Sequence, residues 1–321
     1  MGEWFTASAP GKFVILGEHS VVYGKPAVTL AVDLRMTVAV RRSGWNTMNG
    51  ERLDFRRQPH LRYLTRDLRH AIDVLTYSEI PVGSGMGSSA ALSAAMALAI
   101  STMEGDSLSE EEIMLEAYDA EFYAQGNGSP MDASTSVHGG GISINMPEPH
   151  GRHLWDVERN GRRWSFNDLS VPEMTFVIGN TGIRAPTGPQ VDKVQRYMER
   201  NHFAREVIDD IERVTIEGGK ALMRRDLVSL GKCMTEDHKL LSILGVSCDA
   251  LNKLVNASLP YSYGAKLTGS GGGGCMVALT DEPEKVCEAI ISRGGTPYVV
   301  RTGGPGAMME PNPPDKTGLK R

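Results

Sequence analysis

The chain is predicted to fold as an α+β protein in two parts, and three features of its 321 residues point there. The first forty residues carry β-branched and apolar runs of strand length. From Met174 to Leu254 the chain places Leu, Ile and Met at helical intervals, so helices are grouped rather than alternating with strands. The 36 glycines exceed the roughly 7% of an average protein and concentrate at 83–87, 139–141 and 269–274. A chain this long closes a substantial core as one large or two medium domains. We place the parts at 1–170 and 171–305, with 306–321 a flexible tail and the chain already loose from Gly303.

In order along the chain, Phe13-Val14-Ile15-Leu16 reads as a strand, and Val28 to Val40 as a second one with a charged break at Asp33 and Arg35. Leu61, Leu64, Leu68, Ile72 and Leu75 fall on one helical stripe, predicting a helix from 61 to 75. The alanine-rich run Leu92 to Ile100 reads as a buried helix, and Ser109-Glu110-Glu111-Glu112 is a capping box opening a helix to about Gln125. A strand follows over Ile142–Asn145, and Asn160-Gly161 between polar flanks marks a hairpin tip. Met174–Ile178 opens the second part. After the helical stretch, strands return around 265–268, 275–279 and 297–301, with a helix at 283–293.

Pro81-Val82-Gly83-Ser84-Gly85-Met86-Gly87-Ser88-Ser89-Ala90-Ala91 runs straight into the alanine-rich helix. A glycine loop ending at a helix start leaves backbone N–H groups to close on an anion, aided by the helix dipole. It reads as a phosphate cradle, with a flexible turn as the bland alternative. It is not a Walker loop, since no Gly-Lys pair is followed by Ser or Thr, and Ser88 breaks the dinucleotide Gly-x-Gly-x-x-Gly pattern. There is no His-Arg-Asp and no Asp-Phe-Gly of the protein kinases.

Other motifs carry less alone. Lys12 follows a Pro-Gly turn, where a lysine can be held beside a phosphate, and Glu18-His19 sit at the polar end of the first strand. Asp132 lies between a proline turn and small residues, as a general base facing a cleft needs, or as a capping aspartate does. Glu121 ends its helix and is a candidate carboxylate for Mg²⁺, or a solvated glutamate. The five glycines within 269–274, flanked by strand-like segments, imply a close approach by another backbone or a ligand.

A net charge of −5 argues against nucleic acid as a partner, and an anionic substrate must then be held by local groups. Ala90–Ile100 is too short to cross a membrane, and the four scattered cysteines read as reduced thiols of a cytoplasmic protein. His150 and His153 lack a third ligand and read as a surface loop.

Taken together and in order, the 12–24, 81–91 and 266–275 motifs closely resemble the GHMP kinase family, over about 5–280. Gly17-Glu18-His19-Ser20-Val21-Val22-Tyr23-Gly24-Lys25-Pro26-Ala27 is most similar to the members that phosphorylate mevalonate, whereas galactokinases carry Gly-Glu-His-Thr-Asp there. The resemblance implies a fold of two domains, the first like domain 2 of ribosomal protein S5 and the second ferredoxin-like. It implies ATP and Mg²⁺ as cofactors, phosphorylation of the C5 hydroxyl of mevalonate in isoprenoid precursor synthesis, and a homodimer. Residues 81–91 would wrap the ATP phosphates, with Ser89 and Glu121 on Mg²⁺, Asp132 the catalytic aspartate and Lys12 its partner. Glu18, His19, Arg184 and Thr187 would touch the substrate. Met86 stands where leucine is usual, and Arg184-Ala185-Pro186-Thr187 where many members have Arg-Ser-Thr. A phosphomevalonate kinase, a kinase acting at the 3-hydroxyl, and a non-catalytic ligand sensor are the alternatives on this fold.

Overall fold

A computed structural model describes residues 2–81, 85–126, 128–148 and 151–311. Its first part is strands β1 (Phe5–Leu16), β2 (Ala27–Ser43), β3 (Thr47–Met48), β4 (Glu51–Arg52) and β5 (Ala71–Ser78), with helix α1 (Pro59–Leu64) between the last two. Helices α2 (Ser88–Glu104), α3 (Glu110–Gln125) and α4 (Met131–His138) follow, then β6 (Gly141–Ile144), β7 (His153–Arg159) and β8 (Arg162–Leu169). The second part is β9 (Thr175–Asn180), α5 (Thr187–Arg200), α6 (His202–Met223), α7 (Leu227–Ile243), α8 (Asp249–Ser258), β10 (Gly264–Thr268), β11 (Cys275–Leu279), α9 (Pro283–Ser292) and β12 (Thr296–Arg301). A last strand, β13 (Met308–Glu310), returns to the first part.

Among the described residues the larger sheet has nine strands, in the order β4-β3-β5-β2-β6-β8-β7, with β1 paired to both β2 and β13. The long β2 is its spine, pairing with β1 on one edge and with β5 and then β6 on the other. Helix α2 packs on β1 and β2, with α3 and α4 beside it. Its buried Ala90, Ala91, Ala94, Ala95 and Ala99 leave little side-chain bulk between helix and sheet. The smaller sheet, β10-β11-β9-β12, is antiparallel throughout and follows a β-α-β-β-α-β chain order, the split βαβ arrangement that the ferredoxin-like expectation describes.

The two sheets are joined through β1. Thr268 Oγ1 donates to the Val14 carbonyl at 2.9 Å and accepts from the Val14 amide at 3.2 Å. Beside this link, the Phe13 and Phe176 rings meet edge to face with centroids 4.9 Å apart.

Two sequence expectations are corrected. The helix predicted over 61–75 stops at Leu64, and β5 begins at Ala71. Ile72 and Val74 are spaced by two and fully buried, and β5 pairs along the whole outer half of β2. Pairing and period-two burial therefore outweigh a coincidental helical stripe. The chain from Gly303 to Glu310, expected to be loose, is bound to the larger sheet. Gly140 donates to the Gly304 carbonyl and Ala307 to that of Val137. The Arg35 guanidinium donates to the carbonyls of Pro305 and Gly306 at 2.8 and 2.7 Å, and β13 pairs with β1. The second glycine cluster makes room for this, because a Cβ on Gly139 would stand 2.2 Å from the Gly306 nitrogen.

Candidate active site

Lys12 lies where β1 shifts register, between Pro10 and Lys12, so its amide leaves the β2 ladder and donates to the Met86 carbonyl of the glycine loop at 3.0 Å. Its side chain runs across Gly87, where a Cβ would come within 2.9 Å of Lys12 Cε. Gly87 has φ +68°, so both its conformation and its bare α-carbon let the lysine pass. Beyond it, Lys12 Nζ pairs with Asp132 Oδ1 at 2.8 Å. The lysine side chain is 4% exposed and that of Asp132 is 39% exposed, so the carboxylate presents the open side of the pair. Asp132 is in the first turn of α4, where the helix dipole favours a carboxylate.

The helix start of α2 faces the same loop. Its first internal bond runs from the Ala91 amide to the Gly87 carbonyl, leaving the amides of Ser88, Ser89 and Ala90 outside the helix's own ladder. Ser89 Oγ donates to Glu121 Oε2 at 2.8 Å across the α2–α3 contact. Glu121 also accepts from Ser93 Oγ at 3.3 Å and Gln125 Nε2 at 2.9 Å, and His60 Nε2 stands 3.0 Å from its other oxygen. A hydroxyl and a carboxylate so placed at a helix start are the hard oxygen donors that Mg²⁺ takes alongside phosphate and water. The residues fit the ion. Of the expected phosphate loop, Val82, Gly83 and Ser84 lie outside the described residues.

The third glycine cluster closes on backbone, as its composition implies. Gly272 donates to the Val246 carbonyl at 2.7 Å and Gly274 to that of Ile183 at 2.8 Å, while Thr181 donates back to Gly274. This holds the loop so that the Ser270 carbonyl meets His19 Nε2 at 3.0 Å. A carbonyl only accepts, so Nε2 carries the proton and Nδ1 is a bare acceptor. His19 is 6% exposed, Nδ1 has no hydrogen-bond partner among the described residues, and burial holds the ring below the usual imidazole range, so it is neutral. Its φ of +61° is a strained conformation for a residue with a Cβ, kept where the surroundings impose it.

Glu18 is buried in an ion cluster. Lys266 on β10 bonds its Oε1, and Asp237 on α7 stands with Oδ2 3.2 Å from the same Nζ. Sequence reasoning met Lys266 only as the first residue of the third glycine motif, without its pairing to Glu18, and missed Asp237. A signal for Asp237 was present, since it falls on the buried stripe of α7 with Leu230, Met234 and Leu241. Arg184 and Thr187 are exposed and, among the described residues, their side chains make no hydrogen bond to Lys12, Asp132 or His19.

The arrangement brings a buried ammonium, a half-exposed carboxylate, a helix start and two oxygen ligands to one loop, the parts that phosphoryl transfer to an alcohol requires. The model of the GHMP kinases N terminal domain matches residues 58–140, and that of the GHMP kinases C terminal domain matches 220–295. The mevalonate kinase of Thermococcus onnurineus is 33% identical over 95% of this chain and 98% of its own. That of Pyrococcus horikoshii is 31% identical over 97% and 99%. The crystal structure of L. major mevalonate kinase in complex with R-mevalonate superposes with a TM-score of 0.79 at 22% identity, over 93% of this chain and 96% of that one. By its motifs, its architecture and these relatives, the chain belongs to the GHMP kinase family.

Proposed function

We propose that the chain is a mevalonate kinase, transferring the terminal phosphoryl group of ATP to the C5 hydroxyl of mevalonate. The observation that carries this reading is the Lys12–Asp132 pair, held at 2.8 Å beside the glycine loop with only the carboxylate side open. The choice of alcohol rests on the relatives, which bear that name along nearly their whole length.

The work of the chain is alignment and charge. The amides at the start of α2 bind phosphate oxygens, and Lys12 offsets charge that a −5 protein does not otherwise neutralise. Asp132 orients the attacking hydroxyl and takes its proton, with the Lys12 ammonium held 2.8 Å from its carboxylate. His19 accepts, at Nδ1, a hydrogen bond from a substrate hydroxyl. Ser89 and Glu121 would hold Mg²⁺, which when bound supplies positive charge to the phosphate oxygens. The unpaired cysteines support a cytoplasmic location, and we infer a homodimer, which sedimentation tests.

An ADP-release assay over a panel of small alcohols tests the function. Mevalonate is expected to give the highest kcat/KM, with the product a C5 phosphomonoester. Preference for 5-phosphomevalonate would establish the phosphomevalonate kinase alternative, and ADP release with none of the alcohols would favour a sensor.

A further inference from the structure

The Glu18–Lys266–Asp237 cluster is the one strongly charged group in the described interior that phosphoryl transfer does not use. All three side chains are at most 2% exposed, and they come from three elements: the turn after β1, strand β10 and helix α7. Two carboxylates face one ammonium, so the cluster is electrically balanced only when it also holds one proton. Burial pushes the Glu18 carboxyl up to about 8 against the pull of Lys266, with Asp237 adding to the rise, and burial raises Asp237 as well. Among the described residues, Glu18 Oε2 and Asp237 Oδ1 have no hydrogen-bond partner. An unbalanced buried charge is costly, so the proton is part of the structure.

The next residue is His19, whose bare Nδ1 is fixed by the Ser270 bond on one side and by the Glu18 backbone on the other. We propose that Lys266 and Asp237 are positioning residues for substrate binding: they enclose Glu18 in a balanced cluster and thereby hold the Gly17–His19 turn with Nδ1 set to accept a substrate hydroxyl. This rests on the mevalonate kinase reading. Loss of the proton leaves a net negative charge in the interior, and the turn must shift to relieve it.

The His238, Cys233, His19 and Lys25 side chains around the turn are all displaced away from the window between pH 7 and 9. On α7, His238 is held down to about 4 by burial and by Lys266, and burial lifts the Cys233 thiol above its usual 9. His19 is itself lowered. Lys25, beyond the turn, is raised by Asp209 and Glu212 of α6, which it pairs with at 2.8 and 2.6 Å.

The test measures KM for mevalonate and for MgATP from pH 6.5 to 9.5, with melting curves, for the wild type, Asp237→Asn and Lys266→Met. The wild type is expected to lose mevalonate affinity about fivefold or more above pH 8 with the MgATP KM flat. Asp237→Asn balances the cluster without a proton and should abolish that alkaline rise. Lys266→Met should raise the mevalonate KM about tenfold at pH 7.5 with the MgATP KM within about twofold. The proposal is overturned by a flat wild-type profile, by the same rise in Asp237→Asn, or by Lys266→Met changing both KM values alike. Should Lys266→Met fail to fold, Asp237→Asn decides alone. A wild type that prefers a different alcohol overturns the functional reading instead, and the same profiles are then read on that alcohol. One that phosphorylates no alcohol overturns both.

Discussion

At the scale of single residues, the site is a set of side chains whose roles separate by kinetics. Asp132→Asn keeps the size of the side chain and removes its charge, so kcat should fall by about three orders of magnitude with the MgATP KM within a few-fold. Steady-state kinetics check this, and near wild-type turnover would remove Asp132 from the mechanism. Ser89→Ala should instead raise the Mg²⁺ concentration needed for half-maximal rate, and an unchanged Mg²⁺ titration would count against that ligand. Gly87→Ala puts a methyl within 2.9 Å of Lys12 Cε at a φ of +68°. Displacing the lysine should cost about a hundredfold in kcat, while the circular dichroism of the variant stays native. His238 gives a pH signature. Its Nδ1 accepts from the Leu267 amide at 3.2 Å and is held down to about 4, so below pH 6.5 the unfolded chain binds a proton that the folded one refuses. Stability therefore falls as pH drops from 6.5 to 4, by at most about 3 kcal/mol from this residue. In urea unfolding, His238→Gln should lose that part of the pH dependence.

At the scale of elements, legibility followed whether the signal was local. The capping box of α3 forms as written, with the Glu112 amide donating to Ser109 Oγ and the Ser109 amide to the Glu112 carboxylate. The Asn160-Gly161 tip joins β7 to β8, with both residues at positive φ. Those features depend on a few neighbouring residues. Strand β5 depends on β2, with partners from Ser43–Ala71 to Met36–Ser78 lying 28 to 42 residues apart, and β13 on β1 at the other end of the chain, so no local pattern specifies either. The same holds in the site: Lys12, Ser89 and Asp132 each stand beside a proline or glycine turn, but Asp237 matters only because folding sets it against Lys266. Ending the chain at Thr302 tests the reassigned segment. Losing the β13 ladder and the Pro305 and Gly306 carbonyls that the Arg35 guanidinium donates to should destabilise the protein by about 2–4 kcal/mol, read as a lower urea midpoint. An unchanged midpoint would return this segment to a loose tail.

At the scale of the whole molecule, the two sheets meet along β1, and the chemistry gathers at that seam. The larger sheet and its helices supply Lys12, the start of α2 and Asp132, while the smaller sheet supplies the Ser270 loop and Lys266. Neither part holds the site alone: the His19 ring is tied to the Ser270 carbonyl, 251 positions away in the chain. The central claim is that Asp132, set by Lys12, receives the hydroxyl proton as the phosphoryl group moves. Single-turnover transfer from labelled ATP to mevalonate, with the product identified by phosphorus NMR, tests it most directly. A C5 phosphomonoester formed by the wild type, and almost none by an Asp132→Asn variant that still binds ATP, is the predicted result. Transfer by that variant at the wild-type rate, or phosphate on another oxygen, would contradict it.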